Sequence, residues 1–177
     1  MKPNTRPHFQ RFSATDPDQL RQQLERAQIA LRNAMARDDE LRALDLAGEI
    51  GSMLTTLRRE QEAQTLLLQH LHTARTLKRK EPAGWLLLAL ATANQYLDQR
   101  SEANAQFSEA LDLARLNGWR NLEHFVLHHW GRSLVEEGQF KRAQDCLTAA
   151  LAIRVAMNLP RQASTRRALD ELAVIMR

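Results

Sequence analysis

The 177-residue sequence predicts an all-α protein made of stacked antiparallel helix pairs, about eight helices in total. Composition is the first reason: Gly (6) and Pro (5) are scarce, aromatics are 5%, and β-branched residues are rare beside Leu, Ala, Gln, Glu and Arg, so strands have little to form from. The second is self-similarity at a spacing of 40 residues. Ala63, Ala103 and Ala143 each open the same apolar pattern, continued by Leu67 and Leu71, Phe107 and Leu111, and Leu147 and Leu151. The third is a small residue twelve positions before each of these alanines, Gly51, Ala91 and Gly131, preceded by the large apolar Ile50, Leu90 and Trp130. A helix pair with a small residue at its crossing packs closely but cannot cover its own apolar face, so successive pairs must stack.

The elements follow in order. Residues 1–17 have no helical period and are expected to be a flexible segment. A helix over 18–36 carries Leu20, Leu24, Ala27, Leu31 and Ala34 at three- and four-residue spacing. Three two-helix repeats then occupy 41–80, 81–120 and 121–160, with helices near 41–57 and 60–77, 82–97 and 100–116, 121–136 and 140–157. A last helix spans 162–176, and 18–177 is expected to form one domain. The breaks between repeats hold Asp38-Asp39, Lys80-Glu81-Pro82, Asn117-Gly118 and Asn158-Leu159-Pro160; those inside repeats hold Arg58-Arg59, Asp98-Gln99 and Glu137-Gly138.

Cys146 is the only cysteine, which suits a reducing compartment better than an oxidising one. The longest purely apolar run, 85–91, is about a third of the ~20 residues that cross a bilayer, and the first twenty residues hold no apolar stretch of signal-peptide length. A cytoplasmic location, with no membrane partner, is the expectation. Both ends are basic: residues 1–17 and 161–177 each contribute +2, which accounts for the whole net charge of +4 and leaves the body neutral. A duplex-binding body concentrates its cations along a phosphate track, so this distribution argues against nucleic acid as the main partner.

The repeat resembles the tetratricopeptide repeat (TPR), whose grammar is W-x2-L-G-x2-Y, then A-x3-F, then P. The third unit matches it best, with Leu127, Trp130, Gly131, Leu134, Ala143, Leu147, Ala150 and Pro160; the second has Asn94 where an aromatic is usual, and the first has His70 at a small-residue position. The 40-residue period exceeds the usual 34 and looks like the long repeats of kinesin light chains and of some bacterial regulators and adaptors. The resemblance implies an α-solenoid, a TPR-like superhelix whose first helices line a concave groove. It would place Asp45, Ser52, Thr55, Trp85, Leu88, Thr92, Gln95, Tyr96, Phe125, His128, Arg132 and Glu136 along a surface that binds peptides or proteins. Trp85 and Phe125 are equally readable as groove or as core. Gly48, Ser52, Phe125 and His129 replace the Lys and Asn of the carboxylate-clamp adaptors, which argues against recognition of a chaperone tail.

Other features compete with that reading. His124, His128 and His129 follow i, i+4, i+5 spacing, which puts two imidazoles on one helix face as a zinc site needs, but no third ligand accompanies them; a metal-dependent enzyme is the outside alternative. Arg75, Lys78, Arg79 and Lys80, with Arg166 and Arg167 near the C-terminus, are the basis for the alternative of a nucleic-acid-associated protein. No phosphate loop, nucleophile elbow or cofactor motif is present, so no cofactor is expected. The terminal helices carry more apolar residues than one contact face needs, including Leu172, Val174, Ile175 and Met176. Such edges either cap the stack, meet a partner or pair two copies of the chain as a homodimer. The expectation is a non-enzymatic scaffold or adaptor of a bacterial cytoplasm.

Overall fold

A computed structural model describes residues 8–177; the first seven residues of the expected flexible segment lie outside the described ones. Among the described residues there are eight helices and no strand: α1 (Pro17–Ala36), α2 (Glu40–Thr56), α3 (Glu60–Thr76), α4 (Lys80–Tyr96), α5 (Arg100–Asn117), α6 (Arg120–Glu136), α7 (Phe140–Ala156) and α8 (Gln162–Ile175). All boundaries lie within two residues of those read from the sequence. The chain falls into two compact units, one of residues 12–117 and one that joins residues 8–11 to 118–177.

In the first unit α1 packs on α2, α2 on α3 and α4, α3 on α4, and α4 on α5. The Asp16 carboxylate starts α1 by accepting from the backbone N–H groups of Asp18 (3.1 Å) and Gln19 (2.9 Å), with Pro17 supplying the preset φ of a first turn. Its buried stripe is Leu24, Ala27, Leu31 and Ala34, while Ile29 and Met35 remain exposed. In the second unit α6 packs on α7, α7 on α8, and α6 touches α8. Helix α8 buries only Thr165, Ala168 and Leu172; Val174, Ile175 and Met176 stay exposed, so the apolar excess at this end is real but Leu172 is not part of it.

The helix crossings explain the repeat grammar. A Cβ on Gly51 would stand 2.7 Å from the Leu67 side chain, and one on Gly131 would stand 2.8 Å from Leu147 Cγ and 3.2 Å from the Ala143 carbonyl oxygen. The α2/α3 and α6/α7 hairpins therefore close onto glycine, while the α4/α5 hairpin has Ala91 at that place and Phe107 fully buried in the position of the leucines.

The turns keep a stricter period than the helices. Asp38, Arg58, Lys78, Asp98, Gly118, Gly138 and Asn158 all have positive φ, between 50° and 73°, at intervals of twenty residues. After most of them the next N–H reaches back five residues, as in Arg59 N to Leu54 O (2.9 Å), Arg79 N to Ala74 O (2.8 Å) and Gln139 N to Leu134 O (2.9 Å). This is the Schellman closure, which satisfies carbonyls at a helix end through one left-handed residue. Glycine takes that conformation freely; the other five positions hold residues that adopt it at a cost.

Candidate functional site

The expected groove residues divide between the two units. In the first, Asp45 and Ser52 on α2 are exposed, whereas Thr55 is buried and donates to Gly51 O (2.9 Å). On α4, Leu88, Thr92, Gln95 and Tyr96 are all buried and Trp85 is half-buried. The Thr92 hydroxyl donates to Leu88 O at 2.9 Å. Tyr96 lies beneath the Arg58 guanidinium, 5.0 Å from its ring centroid, and its Oη accepts the backbone N–H of Phe12 at 2.6 Å. Asn94, the departure from the family grammar, belongs to another layer: its Oδ1 accepts from Gln64 Nε2 on α3 (2.7 Å) and its Nδ2 donates to Gln106 Oε1 on α5 (2.8 Å). An amide replaces an aromatic there because two glutamines satisfy it.

In the second unit the same helix positions carry titratable groups. His128, Arg132 and Glu136 are buried on α6, and Phe125 is half-buried. The Phe125 ring faces two guanidinium groups, Arg161 at 4.9 Å and Arg154 at 5.7 Å from its centroid. Arg154 on α7 is only 1% exposed. Its Nε donates to His124 Nδ1 (3.2 Å), and its Nη1 donates to Arg161 O (3.0 Å), Ser164 Oγ (3.3 Å) and Thr165 Oγ1. The Thr165 hydroxyl accepts from Arg154 and shares a hydrogen bond with His128 Nδ1 at 3.2 Å. A guanidinium only donates, so the bond to His124 requires that its Nδ1 be an acceptor.

Burial first, and the neighbouring Arg154 charge second, hold both imidazoles neutral, His124 with its pKa lowered to about 4 and His128 to about 3. Burial also lowers His129 well below its usual value and brings Arg154 down to about 10, so the guanidinium still carries its charge at neutral pH. Both His Nδ1 atoms are occupied, and among the described residues no group of three or more His, Cys, Asp or Glu is placed to hold a metal ion. The cluster ties α6 to α7 and α8. Cys146 is half-buried on α7.

Glu136, at the end of α6, is 3% exposed and receives the segment that precedes α1. Its Oε1 accepts from Phe9 N (3.1 Å) and Arg11 Nε (2.9 Å), and its Oε2 accepts from Arg11 Nη2 (2.7 Å). Residues 8–16 are non-helical as expected, but Phe9 and Arg11 are anchored rather than free. Neither was among the residues expected in a site. Arg154 was missed as well, although the repeat contains the signal: one and two periods earlier stand Ala114 and Ala74, both fully buried, so an arginine at this register has to be buried too.

Lys78, Arg79 and Lys80 are exposed at the tip between α3 and α4, and Arg75 pairs with Glu109 at 2.7 Å. No helix among the described residues is long and apolar enough to cross a membrane.

Comparison with solved structures settles the fold. The nearly identical TPR-like repeats assigned to a kinesin light chain of Podosopora anserina share 18% identity with this chain and superpose with a TM-score of 0.59, covering 90% of this chain and 87% of that one. A substituted form of the same repeats gives 0.60 at 18% identity, with 88% and 85% covered. The fold is TPR-like. No family model matches the chain, and no curated protein matches it. As a TPR-like chain, this is an all-helical repeat protein whose neighbouring helices pack as solenoid pairs.

Proposed function

We propose that this TPR-like protein is a non-enzymatic scaffold or adaptor, of a bacterial cytoplasm, that binds an extended peptide or protein segment along the faces formed by its first-of-pair helices. One observation carries the reading: Tyr96 and Glu136, which occupy equivalent positions one repeat apart, each accept a backbone N–H from non-helical chain, Tyr96 from Phe12 and Glu136 from Phe9. A side chain that accepts from extended backbone has the basic element of peptide recognition, affinity from main-chain bonds with specificity from neighbouring side chains. Rigid, stacked helices leave little ordering cost to the receptor. The exposed end of α8, where Val174 is 68% accessible, offers a second apolar contact surface for a partner or another copy of the chain.

A peptide-display selection against the full chain tests this. Enriched peptides are expected to lose about tenfold or more in affinity with Trp85→Ala, since aromatic anchors dominate such interfaces. Selected peptides that bind the Trp85→Ala and Tyr96→Phe variants as tightly as the parent would move the site off this face.

A further inference from the structure

The end of α6 brings three features together. Glu136 is a buried carboxylate, held in a bidentate pair by Arg11 with both side chains buried. Beside it lies a cavity of about 600 Å³, lined by Val135, Phe140, Glu171, Val174 and Ile175 from the helices and by Phe9 of the segment preceding α1. The residue that links Phe9 to Arg11, Gln10, has φ +48° and buries its Nε2 amide without a hydrogen-bond partner.

We propose that Glu136 and this cavity form a receptor for an extended peptide bearing an aromatic residue two positions before an arginine, and that Phe9-Gln10-Arg11 is a resident, displaceable occupant of it. The proposal deepens the peptide-binding reading and rests on it. The arginine is specified by the carboxylate, because a guanidinium fork matches two carboxylate oxygens where an ammonium contacts as a point charge. The aromatic is specified by the apolar walls, and its own N–H shares the carboxylate with the arginine, which fixes the spacing of two. The cavity beside Phe9, lined mainly by apolar side chains on three helices, leaves room for a bulkier aromatic.

The middle position argues that the resident segment is a poor ligand for its own receptor. A non-glycine residue in the left-handed region is strained, and a buried amide without a partner adds a desolvation penalty. A glycine removes both faults at once. The receptor therefore prefers aromatic-Gly-Arg to the chain's own aromatic-Gln-Arg, and a partner carrying that motif competes the segment away.

Fluorescence anisotropy with labelled synthetic peptides tests this on the full chain. The probes are the sequence of residues 8–14, the same peptide with glycine at its third position, and that glycine peptide with glutamate for arginine. Arg11→Glu releases the resident segment and leaves the helix residues of the receptor unchanged, and the glycine peptide is expected to bind that variant at least about tenfold more tightly than the parent, since a competing occupant scales the apparent Kd. It is also expected to outbind the parental-sequence peptide by about fivefold or more. The glutamate peptide should not bind. Adding Glu136→Gln, which preserves shape, should cost about tenfold or more, with circular dichroism confirming that the doubly substituted chain folds; Glu136→Asp serves as the second receptor variant if it does not.

Equal binding of the glycine and glutamate peptides, no gain from Arg11→Glu, or indifference to the Glu136 substitution would each overturn the proposal. If display-selected peptides still require Trp85 while these probes fail, this receptor is wrong and the broader reading stands. If no peptide of either kind binds, both fall.

Discussion

Helices α4 and α6 stand at the same place in successive repeats, and they differ where it matters for chemistry. Gly84, Leu88, Thr92 and Tyr96 along α4 become His124, His128, Arg132 and Glu136 along α6. Their packing positions hardly change: Leu87 matches Leu127, Leu90 matches Trp130, and the close crossing has Ala91 in one and Gly131 in the other. Crossing geometry constrains one stripe of each helix and leaves another open to substitution. On that open stripe the later repeat carries a buried ionic and hydrogen-bonded system where the earlier one is neutral. The difference reaches beyond α6, since α7 supplies Arg154 where α3 and α5 have alanine.

The comparison breaks most severely at that arginine. Arg154→Ala makes the third repeat conform to the first two, yet it opens a void and removes the bonds that Arg154 makes to His124, Thr165 and the Arg161 carbonyl, so the folded state should lose about 3 kcal/mol in urea denaturation. A loss below about 1 kcal/mol would mean that α8 is held by its apolar stripe alone.

The imidazoles should show themselves through pH. The unfolded chain protonates them near their ordinary pKa, 6.5, while the folded chain resists protonation until about 4 at His124 and about 3 at His128. Over that interval the unfolded state binds more protons. The stability they contribute is therefore complete above pH 6.5 and declines as pH falls towards 4. His128→Leu, which installs the residue that α4 has at the same register, should flatten that decline; an unchanged pH dependence of the denaturation midpoint would show that His128 is not held neutral.

The smallest effect concerns the turns, where the two repeats differ only in residue type. Lys78 holds φ +54° at the tip where Gly118 holds +71° one period later. Lys78→Gly should stabilise the chain by up to about 1 kcal/mol, visible as a modest rise in Tm. A fall in Tm would mean that the side chain contributes more than its backbone costs.

The fold was legible because the period is written in residues that sterics make hard to replace: glycine or alanine at crossings, alanine followed by a large residue on the partner helix. Helix ends were legible for the same reason, since seven left-handed turns recur every twenty residues, although Arg58 and Lys78 gave no compositional hint of positive φ. Of the expected groove residues, Tyr96 and Glu136 each receive a backbone N–H from the chain's own non-helical segment, while Thr55, Leu88, Thr92, Gln95, His128 and Arg132 are buried. Phe9 and Arg11 were not foreseen, because an aperiodic segment signals the absence of helix and says nothing about where extended chain comes to rest. Asn94 appeared in sequence as a defect, and only the two glutamines from flanking helices make it a joint.

The twenty-residue interval between left-handed turns also limits how this protein can evolve in length. One residue inserted inside a helix would rotate everything after it by about 100° and carry the buried stripe away from its neighbours. A duplicated block of forty restores both the turn and the stripe. Growth by whole blocks is thus the permitted route, and every added block brings a fresh copy of the position that Glu136 occupies, one that the crossing geometry does not dictate.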